Sequence, residues 1–189
     1  MRRILILIIT VIFVLSACNQ ENKPKNEIII YGDYKCPYCK KLEKSIMPKL
    51  KKDYIDKGKV KFTFVNMAFL GEDSIKGSRA GHAVQNIAPK QFLEFQKNMF
   101  SVQPNHEDKW ITNKLLDNQI EKLDISKEKK EEIKKDYKIK DSQSWNGAKE
   151  DKIKAKEEKI KMAPSVFIND KKVEDVYNFN EYKKKLNNN

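Results

Sequence analysis

Apolar positions along the chain fall into three patterns, and each predicts a different kind of element. Ile4 to Leu15 is an almost unbroken apolar run of 12 residues behind Met1, Arg2 and Arg3. Glu27 to Tyr31 (EIIIY) is a short β-branched run bounded by polar residues, which predicts a strand buried on both faces. Val60 to Val65 (VKFTFV) alternates and predicts a second strand. Between them Cys39, Leu42, Ile46, Leu50 and Tyr54 recur at helical spacing behind Pro37, where a first-turn proline is tolerated. Pro48 lies inside this pattern, so the helix should kink or break before Gly58 ends it. No strand pattern follows until residue 164. Helices are expected over 74–87, 90–102, 107–123, 126–137 and 141–161, punctuated by Gly71, Pro89 and Pro104 and opened by the cap candidates Ser126 and Asp141. Pro164 to Ile168 (PSVFI) predicts a strand, Asn169-Asp170 a turn, Lys172 to Val176 a partner strand, and Asn180 to Leu186 a last helix. This order describes an α/β domain interrupted by a helical block.

The basic start, short apolar run and small-residue ending have the layout of an export signal. A membrane-spanning helix needs about 20 apolar residues, so the run is too short to be a permanent span. Its ending, Leu15-Ser16-Ala17-Cys18, resembles a lipobox, at which the cysteine is acylated and becomes the first residue of the mature chain. Cys18 is then a lipid anchor on the extracytoplasmic face of the cell membrane, with an ordinary signal and a coincidental cysteine as the alternative. The expected division is a signal over 1–17, a polar tether over 18–26, an α/β domain from 27–67 and 162–189, and a helical insertion over 68–161.

Composition narrows the function classes. A hydrophobic content of 39% supports a core without a membrane domain, and the formal net charge of +12 comes almost wholly from lysines mixed with Glu and Asp, as on solvated helix faces. No basic stripe interleaved with aromatics is present, so a nucleic-acid partner is not expected. Weak attraction to an anionic membrane or wall polymer accounts for the excess charge. No dimerisation segment is evident, and a monomer is expected.

With Cys18 assigned to the anchor, Cys36 and Cys39 remain of the three cysteines. Export places them in an oxidising compartment, where a pair two residues apart reads as a redox couple. A structural staple closing so short a loop would add little stability. A thiol attacks a disulfide only as thiolate, and Cys36, just ahead of a helix starting at Pro37, faces unpaired N–H groups and the positive dipole end. Cys39, one turn on, is placed to resolve a mixed disulfide. Pro37 sets the helix start, Tyr38 adds an aromatic surface, and Lys35 and Lys40 add positive charge. A metal site from Cys36, Cys39, His82 and His106 is a rival reading, but the histidines are 24 residues apart and lack finger-type spacing, so no metal or other cofactor beyond the dithiol is expected. An adhesive or solute-binding lipoprotein using Trp110 and Trp145 is another, although such aromatics at helical spacing usually belong to a core.

Tyr31 to Cys39 (YGDYKCPYC), Val60 to Leu70 (VKFTFVNMAFL), Ser144-Trp145 in the helical block, and Pro164 to Asn169 (PSVFIN) closely resemble the DsbA family, in particular its lipoproteins of the Gram-positive, staphylococcal type. The resemblance spans essentially the whole mature chain. It implies a thioredoxin fold with an inserted all-helical domain, oxidation of free thiols on exported client proteins through Cys36 and Cys39, and a separate reoxidant of unspecified identity. It also implies a cis peptide before Pro164 opposite the cysteines, with Ala163 offering its backbone to a client. A thiol reductant of the cytochrome-maturation type is the alternative within redox proteins, since CxxC chemistry runs in either direction. Two positions depart from the family pattern. Ala163 stands where Thr or Val is frequent, and Ile30 stands where a buried acid precedes the motif in Gram-negative members. Glu27 and Glu43 are then the acids on offer, with Glu43 the candidate proton-relay group, although an acid one turn past Cys39 would ordinarily face solvent.

Overall fold

The computed structural model describes residues 24–106 and 108–187. The leader and Cys18 lie outside the described residues. Strand β1 (Asn26–Gly32) leads into helix α1 (Pro37–Ser45), a short α2 (Met47–Leu50), a π-helical turn over Lys51–Ile55, and strand β2 (Val60–Asn66). Five helices follow: α3 (Ser74–Ile87), α4 (Phe92–Ser101), α5 (Asn113–Glu121), α6 (Lys127–Asp136) and α7 (Gln143–Glu157). The chain returns with β3 (Ser165–Ile168), β4 (Lys171–Lys172) and α8 (Phe179–Asn187). The sheet order is β2-β1-β3-β4, with β1 parallel to β2 and antiparallel to β3, and β3 antiparallel to β4. This is a thioredoxin fold carrying an inserted helical domain between β2 and β3. No described helix is long and apolar enough to cross a membrane.

The EIIIY run is central in the sheet and buried on both faces, as its pattern predicts. Ile28 and Ile30 join the main core with α1 and the inserted helices, whereas Tyr31 packs with Val65, Met67 and Ala155 on the opposite face. The Tyr31 hydroxyl donates to Glu158, which ties the end of α7 to that face.

Four expectations need correction. The helix after Pro37 does break, but at Ile46, one residue before α2 and two before Pro48. The helix expected over 107–123 begins only at Asn113. Trp110 and Ile111 donate their backbone N–H groups to the buried Asp73 carboxylate, which holds that stretch out of the helix, and Thr112 then caps α5 by accepting from Leu115 N–H. The strand expected over Lys172–Val176 stops at Lys172, with Val173 N–H still bonded to the Val166 carbonyl, because the N–H groups of Glu174 and Asp175 turn to the Glu181 carboxylate. Helix α7 likewise ends at Glu157, four residues early: Lys159 takes φ +55, and Ile160 and Lys159 N–H groups return to Ala155 and Lys156, a Schellman-type stop.

The insertion meets the α/β domain through aromatics. Tyr34, just ahead of the cysteines, stacks on Phe64 of β2 with ring centroids 5.7 Å apart and meets Phe95 and Phe100 of α4 edge-on at 6.2 and 5.3 Å. Helix α3 passes the same ring with Gly77, where a Cβ would lie 2.9 Å from Tyr34 Cδ2 and 3.3 Å from Ile111. Helix propensity alone would make Gly77→Ala stabilising by about 1 kcal/mol. The crowding against a ring locked on three sides reverses that sign, so Gly77→Ala is expected to destabilise by about 1–3 kcal/mol, read as a lower urea midpoint at unchanged m-value.

Candidate active site

Cys36 is the N-cap residue of α1, and Pro37 takes the first helical position. The capping distance runs from N-cap to N3, and N3 here is Cys39. The Cys36 sulfur therefore accepts a hydrogen bond from the backbone N–H of Cys39 at 3.2 Å. The thiol itself donates to the Ala163 carbonyl at 3.4 Å, and the Ala163-Pro164 bond is cis, the geometry the resemblance implied. Both cysteines are free thiols.

Their surroundings separate the two sulfurs. The Cys36 pKa is held below the ordinary thiol value, first by the Cys39 thiol donating to its sulfur and then by the N–H groups of Cys39 and Tyr38, against burial and the Asp33 charge. Burial pushes the Cys39 thiol well above the ordinary value, and the Cys36 charge adds to this. Cys36 also lines a groove of about 400 Å³ with Lys35, Pro37, Tyr38, Phe69, Leu70 and Ala163, which Cys39 does not reach. The arrangement presents one sulfur as a stabilised thiolate and keeps its partner protonated beneath it.

Several neighbours escaped the sequence reading. Asp33 is completely buried, three residues before Cys36. Its carboxylate accepts from the N–H groups of Lys35, Phe69 and Leu70 and from the Ser74 hydroxyl. The acids weighed from sequence were Glu27 and Glu43, and the one beside the cysteines is Asp33; its place after a strand and before CxxC was the available signal. The Tyr177 hydroxyl donates to the Tyr38 carbonyl at 3.2 Å, while Lys41 Nζ lies 4.2 Å from the centre of its ring.

The two lysines expected to add positive charge have other engagements. Lys35 pairs with the buried Asp73 at 2.8 Å, and Lys40 donates to the Gln103 carbonyl at 2.6 Å. Gln103 in turn donates through Nε2 to the Tyr34 carbonyl at 2.7 Å. Glu27 lies at the start of β1, paired with Lys61 of the neighbouring strand. The residues of the rival readings are dispersed: His82 faces Asp151 at 2.9 Å, and His106 is exposed near Asp108. Trp110 is buried, and Trp145 carries the Arg79 guanidinium 3.2 Å from its ring centre. Among the described residues no group of three or more His, Cys, Asp or Glu side chains is arranged to hold a metal ion.

Residues 21–188 match the family model described as Thioredoxin. "Disulfide bond formation protein D" of Bacillus subtilis is 33% identical over 160 residues, covering 84% of this chain and 70% of that protein. The chain belongs to the thioredoxin family, in its DsbA-type branch. A Bacillus anthracis relative described as "Probable disulfide bond formation protein D" is 34% identical over 147 residues; the match covers 76% of this chain but spans only 64% of that protein's length. The oxidised crystal structure of BdbD from Bacillus subtilis aligns with a TM-score of 0.77 at 31% identity, covering 89% of each chain. In this DsbA-type chain the family motif is thus the capped helix start at Cys36.

Glu43 is not the solvent-facing acid its position implied. It is largely buried on α1, accepts from Gln96 Nε2 at 2.8 Å, and is pushed up to about 7, chiefly by burial. A carboxyl whose folded pKa exceeds its unfolded value stabilises most below the unfolded value and loses that contribution as pH rises through the folded one. Stability should therefore fall by about 3 kcal/mol between roughly pH 4.5 and pH 7 on account of Glu43. Glu43→Gln should remove this slope, leaving the variant the more stable form at pH 8, as measured by urea unfolding across the range.

Proposed function

We propose that the chain is an extracytoplasmic protein disulfide oxidoreductase that donates a Cys36–Cys39 disulfide to the thiols of exported proteins. The observation that carries this reading is the Cys36 sulfur at the α1 N-cap, bonded by Cys39 N–H, in a residue that lines the groove. In the oxidised form a client thiolate attacks Cys36 Sγ. The Cys36–Cys39 bond breaks, a mixed disulfide forms, and Cys39 departs as a thiolate that takes up a proton. A second client thiolate then attacks the client sulfur of the mixed disulfide, and Cys36 leaves as the stabilised thiolate. Two electrons have passed from the client dithiol to the cysteine pair; of the two protons the client thiols release, one ends on Cys39 and the other goes to solvent, and a separate reoxidant removes the electrons.

Stabilising the Cys36 thiolate favours the reduced form, which makes the disulfide oxidising; DsbA proteins are the reference case for this relation. That supports the oxidase direction over the reductant alternative. Ala163 supplies a carbonyl beside Cys36, while Pro37, Tyr38 and Pro164 shape the surface that a client meets. Glu43, with its raised pKa, serves as a proton-exchanging group on α1. No cofactor beyond the dithiol enters the scheme. The lipobox-like ending at Cys18 supports a mature chain that begins there, carries lipid, and works at the membrane surface.

Equilibration with a glutathione redox buffer tests the direction. A potential clearly above the roughly −270 mV of thioredoxin is expected, and a value near thioredoxin's would move the assignment to a reductant. Mass spectrometry of cell-derived protein checks the anchor: an acylated Cys18 at the N-terminus is expected, and an unmodified one would remove it.

A further inference from the structure

We infer that Arg79, Lys149 and Lys152 form a binding site for a phosphate group on the inserted helical domain, separate from the redox centre. None of the three lines the groove at Cys36, and the inference does not depend on the exchange chemistry proposed above.

The site is a cavity of about 440 Å³ lined by residues of α3 and α7. Helical spacing builds it: Trp145, Lys149 and Lys152 fall at i, i+4 and i+7 on α7, share one face, and meet Arg79 of α3 there. The two helices are fixed against each other close by. A Cβ at Gly147 would lie 2.6 Å from His82 Nδ1, and His82 Nε2 meets the Asp151 carboxylate at 2.9 Å. The Trp145 ring is fixed as well, because its Nε1–H donates to the Tyr137 carbonyl at 2.9 Å. The Arg79 guanidinium lies over that ring, 3.2 Å from its centre.

What the guanidinium lacks is an acceptor. Among the described residues no carboxylate pairs with Arg79 and none of its side-chain N–H groups donates to a protein oxygen, while its Nε is buried with no partner. Burial works against its charge, and no acid offsets that cost. Stacking on Trp145 uses the flat face of the guanidinium and leaves its in-plane donors unmet. Lys149 and Lys152 are exposed, also without acid partners among the described residues, and bring two more charges to the same cavity. Asp141 is the one acid in the lining, so positive charge prevails there. Residue choice points the same way. Arg79 is the only arginine after Arg3 in a chain that otherwise uses lysine for its permanent positive charges. A lysine would supply the charge, but only arginine supplies a planar stack with a fixed fork of donors. A fork and two ammonium groups match the several oxygens of a phosphate better than the two oxygens of one carboxylate. Such a phosphate can arrive on a lipid headgroup or on a soluble or polymeric phosphate ester, and the chemistry of recognition is the same.

The test titrates the mature chain, with Cys18→Ser so that no acyl group is attached, with inorganic phosphate, glycerol phosphate and acetate at low salt. The Trp145 indole N–H resonance reports binding. Both phosphates should shift it saturably, and acetate should bind about tenfold more weakly. Arg79→Gln should weaken phosphate binding by about tenfold, the scale of losing a charge-assisted bidentate contact. Lys149→Gln with Lys152→Gln leaves the stack intact and should weaken binding by a similar factor; it carries the test if Arg79→Gln fails to fold. Lys127→Gln with Lys129→Gln, at exposed positions of α6 outside the cavity, should change nothing. Co-sedimentation with phosphatidylglycerol vesicles, against phosphatidylcholine ones, separates the two sources. Retention on the former that is lost in Arg79→Gln assigns a lipid headgroup, whereas binding of the soluble phosphates alone assigns a free or polymeric ester. Shifts that do not saturate, acetate binding as tight as phosphate, or unchanged phosphate affinity in a folded Arg79→Gln variant overturns the inference. So does a loss in the α6 control as large as in the Lys149 and Lys152 pair, which would reduce the effect to overall charge.

Discussion

A sulfur takes the N-cap position of α1, where an oxygen of Ser, Thr, Asp or Asn usually sits, and most of the site's behaviour follows from that substitution. The N–H of Cys39 that would otherwise be an orphan donor at the helix start is satisfied by Cys36. One hydrogen bond thus closes the helix end and stabilises a thiolate. Its two partners are the two cysteines of the motif, because the spacing that separates N-cap from N3 is the spacing of CxxC. The proline between them fits for the same reason: at N1 its missing N–H costs the helix nothing.

The remaining neighbourhood fixes where that helix start points. The Tyr34 ring is wedged among Phe64, Phe95 and Phe100, and its carbonyl is held by Gln103. The three acids nearby do different things. Asp73 neutralises Lys35, Asp33 organises backbone, and Glu43 lies half a helix away in a pocket that disfavours its charge. Only the first is a charge pair in the ordinary sense. The positive field expected from lysines flanking the motif is largely spent elsewhere, so the thiolate depends on hydrogen bonds more than on nearby cations.

What could be read from the sequence was what is local. Period-2 and period-3.6 patterns found β1, β2, α1 and α3, and the Ser126 cap and the Asn169-Asp170 turn lay where their side chains and positive φ values require. Cys36 and Cys39 stood out because their spacing and their place between a strand and a helix are both short-range facts. Most of the misses share a physical cause, which is a side-chain carboxylate capturing backbone N–H groups outside the short-range pattern. The stretch before Thr112 stays out of α5 because Asp73 holds the amides of Trp110 and Ile111, and the last hairpin strand shortens because Glu181 captures two N–H groups. Asp33 looked like a residue that merely ends a strand, since three of its four partners come 36 to 41 positions later.

The contacts of Gln103 bear on how this fold can change over evolutionary time. Its side chain holds the Tyr34 carbonyl before the first cysteine, and its own carbonyl holds Lys40 just after the second, so the end of α4 grips the redox motif from both flanks. An insertion fastened in that way is no longer a removable ornament on an older scaffold. Substitutions at the α4 terminus and around the motif must be accepted together, and drift in one is filtered by the other. The helical block and the strand–helix core are therefore expected to diverge as one unit among relatives, with the fastest change left to the lysine-rich outer faces of α6 and α7.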